Sequence, residues 1–375
     1  MMRWLSSFLL SGLLAGILAG FLGIFPAHAD TNEAARSSVL NALVSKFIVP
    51  GYESALGAAA GQSAAMDQLC KEPNRENLAA ARTSFKALVD AWSGVEIVRF
   101  GPIRSENRFE RLFFWPDRRS RGLKQVQALV AKQQTEALSP NDLQKKSVAV
   151  QGLLALEFVL HGTGSETLSE AVSDRCELGK SMARAIELTF SAVLEDWTKP
   201  GGFAETLQQP GADNPIYRSQ EEVLQEILRA ASEQLQIVRN LKIGAVIGDL
   251  PAKAKPKRAP FWRSDLTLVS LERNLESVGR LFSDIGFSAL LTEEDVWLLQ
   301  SLEFELKQAR KAVDDLRKSG TPWVAPSGEA LVKQPFAHQR LAYSQIPLAG
   351  SIRVISEAIP VALGLKLGFN SLDGD

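Results

Sequence analysis

Apolar positions recur every three or four residues along most of the chain, which is the spacing of amphipathic α-helices. Capping residues and helix breakers mark where the long helices begin and end. Alternation of apolar and polar residues, the pattern of half-buried strands, is scarce. We therefore expect an all-α protein, with helices predicted over residues 74–100, 139–161, 167–199, 219–241 and 292–319.

One segment interrupts the helical pattern. Residues 248–260, GDLPAKAKPKRAP, contain three prolines and four basic residues, which is typical of an exposed linker or loop. The interruption divides the chain unequally. It predicts two packed helical bundles, an N-terminal one over residues 30–247 and a C-terminal one over residues 261–375.

The first 29 residues have the composition of a secretory signal peptide. Arg3 is followed by an apolar run, and the sequence Ala-His-Ala ends at Ala29, which predicts cleavage before Asp30. The alternative is an uncleaved membrane anchor, because about 20 apolar residues can span a bilayer. Cleavage would leave a periplasmic protein, since no later run predicts a membrane span.

Charge and cysteine content narrow the possible partners and chemistry. The chain has 42 Lys and Arg residues against 43 Asp and Glu residues, which argues against nucleic acid as a partner. Its two cysteines are Cys70 and Cys176. In an oxidising compartment they are expected to form one disulfide, whereas a metal or redox site normally uses closer spacing such as C-x-x-C.

A carboxylate interrupts an aromatic helix face in residues 92–102, WSGVEIVRFGP. Trp92, Glu96 and Phe100 follow each other at intervals of four residues, and Arg99 lies within reach of Glu96. A carboxylate in apolar surroundings must be paired or must bind something. Both a functional carboxylate and a structural Arg–Glu pair fit this pattern.

Residues 107–119, NRFERLFFWPDRR, interleave four arginines with four aromatic residues. Such a mixture can form a surface that binds anions or stacks bases. With a nearly neutral, exported chain we favour aromatic residues in the core. The arginines, Arg108 among them, are then expected to pair with Glu106, Glu110 and Asp117.

In residues 152–162, GLLALEFVLHG, Glu157 and His161 are one helical turn apart. This spacing suits a metal held by a carboxylate and an imidazole, and equally a structural hydrogen bond at a helix end that favours protonated histidine. Only His161 and His338 remain after signal removal, so a three-histidine zinc site is excluded. A metal here would be a hard cation such as ferric iron or calcium.

The C-terminal residues 364–375, GLKLGFNSLDGD, place Asn370 and Asp373 close to glycines. The pattern resembles part of a calcium loop, but it lacks the residues that complete an EF-hand. We expect a turn-rich tail.

The order of these four segments resembles the imelysin-like proteins, also called the peptidase M75 family, and in particular their periplasmic branch. The resemblance implies an all-helical protein of two bundle-like domains with a site at their interface, export, and a link to iron acquisition. It makes Glu96, Glu157 and His161 the candidate metal-binding residues. The candidate residues lining the site are Trp92, Arg99, Arg108, Trp115, Asp117, Gly152, Asn370 and Asp373.

The family hallmark G-x-H-x-x-E maps onto residues 152–157, where Gly152 and Glu157 match but Leu154 replaces the histidine. Leucine can neither ligate a metal nor transfer a proton, which puts a metallopeptidase mechanism in doubt. We expect a non-catalytic periplasmic binding protein linked to the acquisition of iron or another hard cation. The alternatives are an envelope scaffold that contacts a protein partner and, further off, an M75-type metallopeptidase.

Overall fold

A computed structural model describes residues 27–131 and 139–365 of the chain. Residues 1–26 of the predicted signal lie outside the described residues, as do Asn370 and Asp373. The predicted cleavage point between Ala29 and Asp30 falls inside the first described helix. Signal cleavage therefore stays a prediction.

The described residues form α-helices joined by short turns and 3-10 segments, and the expected all-α class is confirmed. Their one β pairing is an isolated antiparallel bridge between Val324 and Ala330. The helices of the described part are α1 (Ala27–Ala42), α2 (Val49–Lys71), α3 (Arg75–Val95), α4 (Arg108–Leu112), α5 (Arg121–Ala131), α6 (Pro140–Gln144), α7 (Leu153–His161), α8 (Asp174–Thr198), α9 (Phe203–Gln208), α10 (Gln220–Gln236), α11 (Ala245–Ile247), α12 (Thr267–Asp284), α13 (Trp297–Lys318), α14 (Pro335–Arg353) and α15 (Ile359–Ala362).

Three π-helical segments join neighbouring helices without a break in direction. Leu43–Ile48 connects α1 to α2, Ile237–Gly244 connects α10 to α11, and Val354–Ala358 connects α14 to α15. A π segment inserts an extra residue into a helix and shifts the faces that follow it. The second of these segments carries a buried lysine that proves central to the fold.

The start of α3 is confirmed by its cap, but its end is not where the sequence predicts it. The Asn74 side chain accepts a hydrogen bond from the Asn77 amide at 2.8 Å, as an N-cap residue should. The helix ends at Val95 rather than near Phe100. The chain then turns through Gly101, whose φ of +67° suits glycine.

The single helix predicted over residues 139–161 is wrong, because the chain forms α6, a 3-10 turn and then α7. Gly152 determines where α7 begins. A Cβ atom there would lie only 2.3 Å from the carbonyl oxygens of Arg111 and Leu112. The close approach of this distant backbone requires glycine, and Gly152 is the extended residue that precedes the first turn of α7.

Apolar residues of both predicted halves belong to one continuous core that extends from Val39 to Leu365. Helix α2 packs against α3 and α8, whereas α12 packs against both α3 and α13, and α13 packs against α14. The α3–α12 contact therefore joins the two halves. A buried hydrogen bond of 2.9 Å between the hydroxyls of Ser93 and Ser270 crosses it.

Residues 248–260 form a loop whose backbone is hydrogen-bonded to the rest of the protein. The loop contains the 3-10 turns Pro251–Lys253 and Pro256–Arg258. The Lys255 amide donates to the Val246 carbonyl at 2.7 Å, and the Trp323 indole donates to the Pro256 carbonyl at 3.0 Å. Both hydrogen bonds hold the loop backbone in place while its basic side chains stay exposed.

The expected disulfide is confirmed. Cys70 at the end of α2 is bonded to Cys176 at the start of α8, with Cα atoms 5.6 Å apart and a sequence separation of 106. Closing so long a loop restricts the unfolded chain and favours the folded state by about 4 kcal/mol. The bond reinforces the packing of α2 against α8.

Candidate functional site

A cavity of about 590 Å³ opens beside α7. Residues following α4, the start of α5, the first turns of α7, the loop of residues 248–260 and the turn after it line its walls. We call it the Glu157 cavity, because that carboxylate lies in its wall. Its aromatic lining consists of Phe114, Trp115, Phe158, Phe261 and Trp262.

Glu157 is almost completely buried, with 1% of its surface exposed. Its Oε1 atom accepts three hydrogen bonds, from the amides of Arg263 and Ser264 at 3.0 and 2.9 Å and from the Ser264 hydroxyl at 2.8 Å. Its Oε2 atom lies 3.9 Å from the Arg263 guanidinium. The carboxylate therefore anchors a distant turn to α7.

That turn, residues 261–265, needs an anchor because its backbone is unusual. Phe261 and Asp265 have positive φ values of 57° and 61°, which cost free energy for residues other than glycine. The Leu266 amide closes the turn on the Phe261 carbonyl at 3.0 Å. Asp265 in turn accepts a hydrogen bond from the Trp323 amide at 2.6 Å.

Opposing effects act on the Glu157 carboxyl. Burial raises its pKa above the ordinary value, and the hydrogen bonds from Ser264 together with the charge of Arg263 act against that rise. Arg263 is held over the Trp262 ring, 4.3 Å from its centroid. The turn thus presents an oriented guanidinium to the cavity.

Glu96 lies in a different part of the core and forms a buried charge network. Its Oε2 accepts from the Lys242 ammonium at 2.7 Å and from the Asn274 amide at 3.1 Å. Its Oε1 accepts from Arg99 at 2.9 Å, which confirms the Arg–Glu pair that the spacing allowed. Burial alone would raise the pKa of Glu96, but Lys242, Arg99 and Asn274 together lower it below its ordinary value.

Lys242, in the π segment Ile237–Gly244, is itself fully buried. Besides Glu96, its ammonium contacts the Asn274 carbonyl oxygen at 2.6 Å. It also lies over the rings of Phe113 and Trp115, 5.4 and 5.9 Å from their centroids. Because Trp115 lines the Glu157 cavity, this network supports the cavity wall from behind.

His161 does not join either carboxylate. Its ring packs 5.7 Å from that of Phe85, and burial, with a smaller contribution from the charge of Arg82, lowers its pKa to about 4. His161 is therefore neutral near pH 7, and the expectation of a protonated histidine at this helix end is wrong. Arg82 and Arg175 already donate to the last carbonyls of α7, including those of Leu160 and Val159, both at 2.9 Å.

The expected pairing within residues 107–119 is wrong for Arg108. It bonds Asp196 of α8 at 2.6 Å rather than Glu106 or Glu110, because tertiary packing brings α8 close. The Asp117 carboxylate is used elsewhere: it accepts from the Arg121 and Leu123 amides at 2.8 and 3.2 Å and caps α5.

The aromatic residues of this segment are divided between the core and the cavity. The rings of Phe109 and Phe113 are buried against Trp92, as expected of a core. The Trp115 ring is half-buried at the cavity, where its indole donates to the Arg258 carbonyl at 3.1 Å.

Among the predicted site residues, the structure brings Trp115, Asp117 and Glu157 to one cavity. Trp92 and Glu96 are buried in the core, whereas Arg99 is half-buried and lines a different cavity. Within residues 27–131 and 139–365, no three His, Cys, Asp or Glu side chains are grouped closely enough to hold a metal ion. The predicted metal ligands are thus separate, and both carboxylates already have partners.

Sequence reasoning missed the residues that tertiary packing brings to the site from distant parts of the chain. Lys242, Trp262, Arg263 and Ser264 all escaped it, although three of them touch the predicted carboxylates. The one available signal was the run of basic residues in the loop of residues 248–260. Its side chains lie at the cavity mouth.

A helix that crosses a bilayer must be both long and apolar. No helix in the described residues meets both requirements.

The fold and sequence match known proteins. The imelysin (peptidase M75) family model matches residues 48–353, so the chain belongs to the imelysin family. Over 303 residues it is 26% identical to iron-regulated protein A of Synechococcus elongatus, covering 77% of this chain and 78% of that protein.

Two solved structures share the fold. An imelysin-like protein from Psychrobacter arcticum superimposes with a TM-score of 0.72 at 19% identity, covering 91% of this chain and 98% of that one. A putative iron-regulated protein A precursor from Parabacteroides distasonis gives a TM-score of 0.68 at 15% identity, covering 89% and 95%. The family resemblance of the sequence motifs is thereby confirmed.

The anchoring role of Glu157 predicts a loss of stability when its side chain is removed. Glu157→Ala leaves two part-buried amides and the nearby Arg263 guanidinium without their carboxylate partner, and it should lower the free energy of unfolding by about 3 kcal/mol. Urea denaturation followed by circular dichroism measures the change. Glu303→Ala is the control, because Glu303 lies in a similar Leu-Glu-Phe sequence but is exposed on the surface of α13; it should change stability by less than about 0.5 kcal/mol. Equal effects of both changes would contradict the anchoring role.

The buried network predicts that Lys242→Met costs about 3–5 kcal/mol, because it leaves the Glu96 carboxylate in the core without its ammonium partner. The double variant Glu96→Gln/Lys242→Met should recover part of this loss, since it removes both buried charges. Urea denaturation of the single and double variants tests the coupling. Lys311→Met, which breaks an exposed pair with Asp315, should cost less than about 1 kcal/mol. A double variant no more stable than Lys242→Met would refute the coupling.

The lowered pKa of His161 predicts a pH dependence of stability. In the unfolded chain this imidazole takes up a proton near pH 6.5, whereas in the folded protein it does so only near pH 4. Stability should therefore fall as the pH drops from 6.5 to 4, by about 2–3 kcal/mol from this residue. In His161→Leu that part of the slope should be absent. Parallel profiles for the two proteins, measured by urea denaturation, would disprove the assignment.

Proposed function

We propose that this imelysin-family protein is an exported, non-catalytic binding protein that takes part in the handling of iron, and that its ligand occupies the Glu157 cavity. The observation that carries the proposal is the cavity itself. It is concave, of a volume that suits a small ligand, and walled by aromatic rings with a few oriented polar groups.

The iron assignment rests on the comparisons. The relative from Synechococcus elongatus is called iron-regulated protein A, and one structural neighbour is a putative precursor of such a protein. Shared regulation by iron does not require iron itself to be the ligand. The ligand can equally be a molecule that binds or carries iron.

Export is supported by the disulfide and by the N-terminal sequence. Disulfides persist in oxidising compartments such as the periplasm, and Cys70–Cys176 is the pair available here. Residues 1–29 have the composition of a signal peptide. We place the mature protein, from about Asp30, in the periplasm.

A non-catalytic role is supported by the state of Glu157. A peptidase of this family type would use the motif histidine, which is Leu154 here. The Glu157 carboxylate accepts three hydrogen bonds on one oxygen and faces Arg263 with the other. A carboxylate engaged in this way serves a structural purpose and is a poor base for activating water.

A second candidate function is contact with another envelope protein. It is favoured by large apolar side chains that are more than half exposed on the α13–α14 pair, namely Trp297, Phe304, Phe336, Tyr343 and Ile346. This surface is separate from the Glu157 cavity, so the two functions are compatible.

Filling the cavity tests the proposed function. Leu154 lines it and is only half-buried, so Leu154→Trp should occupy the space and weaken iron binding at least about tenfold. Purified protein would be incubated either with iron(III) citrate or, without oxygen, with ferrous ion, and then analysed for iron after equilibrium dialysis. Ile346→Trp, on the exposed surface, is the matched control and should bind as the natural protein does.

Circular dichroism and urea denaturation would show that both variants fold. Iron binding that is unaffected by Leu154→Trp would overturn the cavity assignment. A natural protein that retains iron from neither source would overturn the iron-binding form of the proposal.

A further inference from the structure

The charge of the Glu157 cavity has a definite sign. Its lining contains six basic residues, Arg118, Lys255, Lys257, Arg258, Arg263 and Lys333, and only two acidic ones, Asp117 and Glu157. The whole chain is nearly neutral, with 42 basic and 43 acidic residues. The excess of positive charge is therefore local to this cavity.

We infer that the Glu157 cavity binds an anion, specifically a small polycarboxylate, either alone or as its negatively charged iron complex. The inference rests on the proposed function in taking the cavity as the binding site. It departs from the sequence-based expectation of a free cation held by Glu96, Glu157 and His161.

The two acidic residues of the lining already accept hydrogen bonds from the protein. Asp117 caps α5 through the Arg121 and Leu123 amides. Glu157 is engaged by Arg263 and Ser264. A free cation entering the cavity would therefore meet six basic residues against two carboxylates that are already hydrogen-bonded, so the net interaction is repulsive.

Most of the basic residues are available to a ligand. Among the described residues, Arg263 forms an ion pair with Glu157, and the other five basic residues of the lining form none. Lys255, Lys257 and Arg258 all project from the loop of residues 248–260 and are exposed. An anion could replace water around these groups without first breaking an ion pair.

The basic groups are also held on a fixed framework. The Arg258 carbonyl accepts the Trp115 indole at 3.1 Å, which ties the loop to the opposite wall. Lys257 and Arg263 both lie over the Trp262 ring, at 5.3 and 4.3 Å from its centroid. This arrangement lowers the entropy that binding would cost, because the cations are already placed.

A second cavity of the protein lacks this excess of unpaired positive charge. It is larger, about 980 Å³, and is lined by four basic and three acidic residues. Most of its charges are paired within the lining: Arg229 pairs with Glu226 and Glu233, and Lys199 pairs with Asp196. That cavity has little charge left for a ligand, whereas most cations of the Glu157 cavity pair with no carboxylate of the described residues.

Polycarboxylates fit the chemistry of the Glu157 cavity and the proposed link to iron. Arginine binds carboxylates through paired, charge-assisted hydrogen bonds, and lysine adds positive charge. Ferric iron is a hard cation that prefers oxygen ligands. A polycarboxylate supplies those oxygens itself, so the protein needs to recognise only the outer negative charge of the complex.

Charge reversal at the cavity mouth tests the inference. Isothermal titration calorimetry would measure binding of citrate, iron(III) citrate, inorganic phosphate and, without oxygen, ferrous ion to the full mature protein. We expect citrate and iron(III) citrate to bind, with affinity that falls as salt is added. Lys257→Glu/Arg258→Glu should weaken both by about tenfold or more. The control Lys86→Glu/Lys307→Glu makes the same change of charge at exposed sites outside the cavity and should leave binding unchanged.

The outcomes separate this inference from the proposed function. Binding of ferrous ion without binding of citrate would overturn the anion assignment while leaving an iron-binding cavity intact. If Leu154→Trp abolishes binding of iron(III) citrate but Lys257→Glu/Arg258→Glu does not, the cavity is still the binding site, but the anion assignment fails. Binding of phosphate but not citrate would refute the polycarboxylate assignment, as would equal losses in the reversed and control variants. If Leu154→Trp leaves binding unchanged, both proposals fail.

Discussion

The ion pair between Glu96 and Lys242 is the constraint on which the centre of the molecule depends. Both side chains are fully buried, and either charge alone would be very costly inside a protein. The two charges therefore pair with each other, and the Asn274 side chain hydrogen-bonds to both. The end of α3, the π segment Ile237–Gly244 and α12 are thereby fixed relative to one another.

This buried network also determines the shape of the neighbouring cavity. The Lys242 ammonium lies behind the rings of Phe113 and Trp115, and Trp115 then bonds to the loop of residues 248–260 through Arg258. On the opposite wall Glu157 holds the turn that carries Arg263. In both places a carboxylate is neutralised by groups more than 100 positions away in the chain. The cavity is a consequence of how these charges are satisfied.

The role of Glu157 shows how a family motif can keep a residue while its histidine partner is absent. In this chain the position two residues after Gly152 is leucine, yet the glutamate remains and anchors a strained turn. Gly152 is likewise required by a close backbone approach. Both matching residues of the motif thus have structural reasons to be present, which are independent of metal chemistry.

Local signals in the sequence were sufficient for the all-α class and for a few contacts, although they misplaced the end of α3 and merged α6 with α7. The periodicity of apolar residues, the Asn74 cap and the Ser139 cap involve residues close together in the chain, as does the pairing of Glu96 with Arg99 three positions later. The disulfide followed from having two cysteines and a signal-like N-terminus. These features depend on distances of a few residues or on composition, so no knowledge of the packing was needed.

The site itself was decided by tertiary structure. The start of α7 at Gly152 depends on the nearby backbone of Arg111 and Leu112, and the partners of Glu157 come from a turn over 100 residues away. The positive charge of the cavity arises because packing brings the loop of residues 248–260 beside Arg118 and Lys333. The total charge of the chain is almost zero, so composition does not reveal a basic region. Only the fold determines which charged side chains become neighbours and which of them form ion pairs.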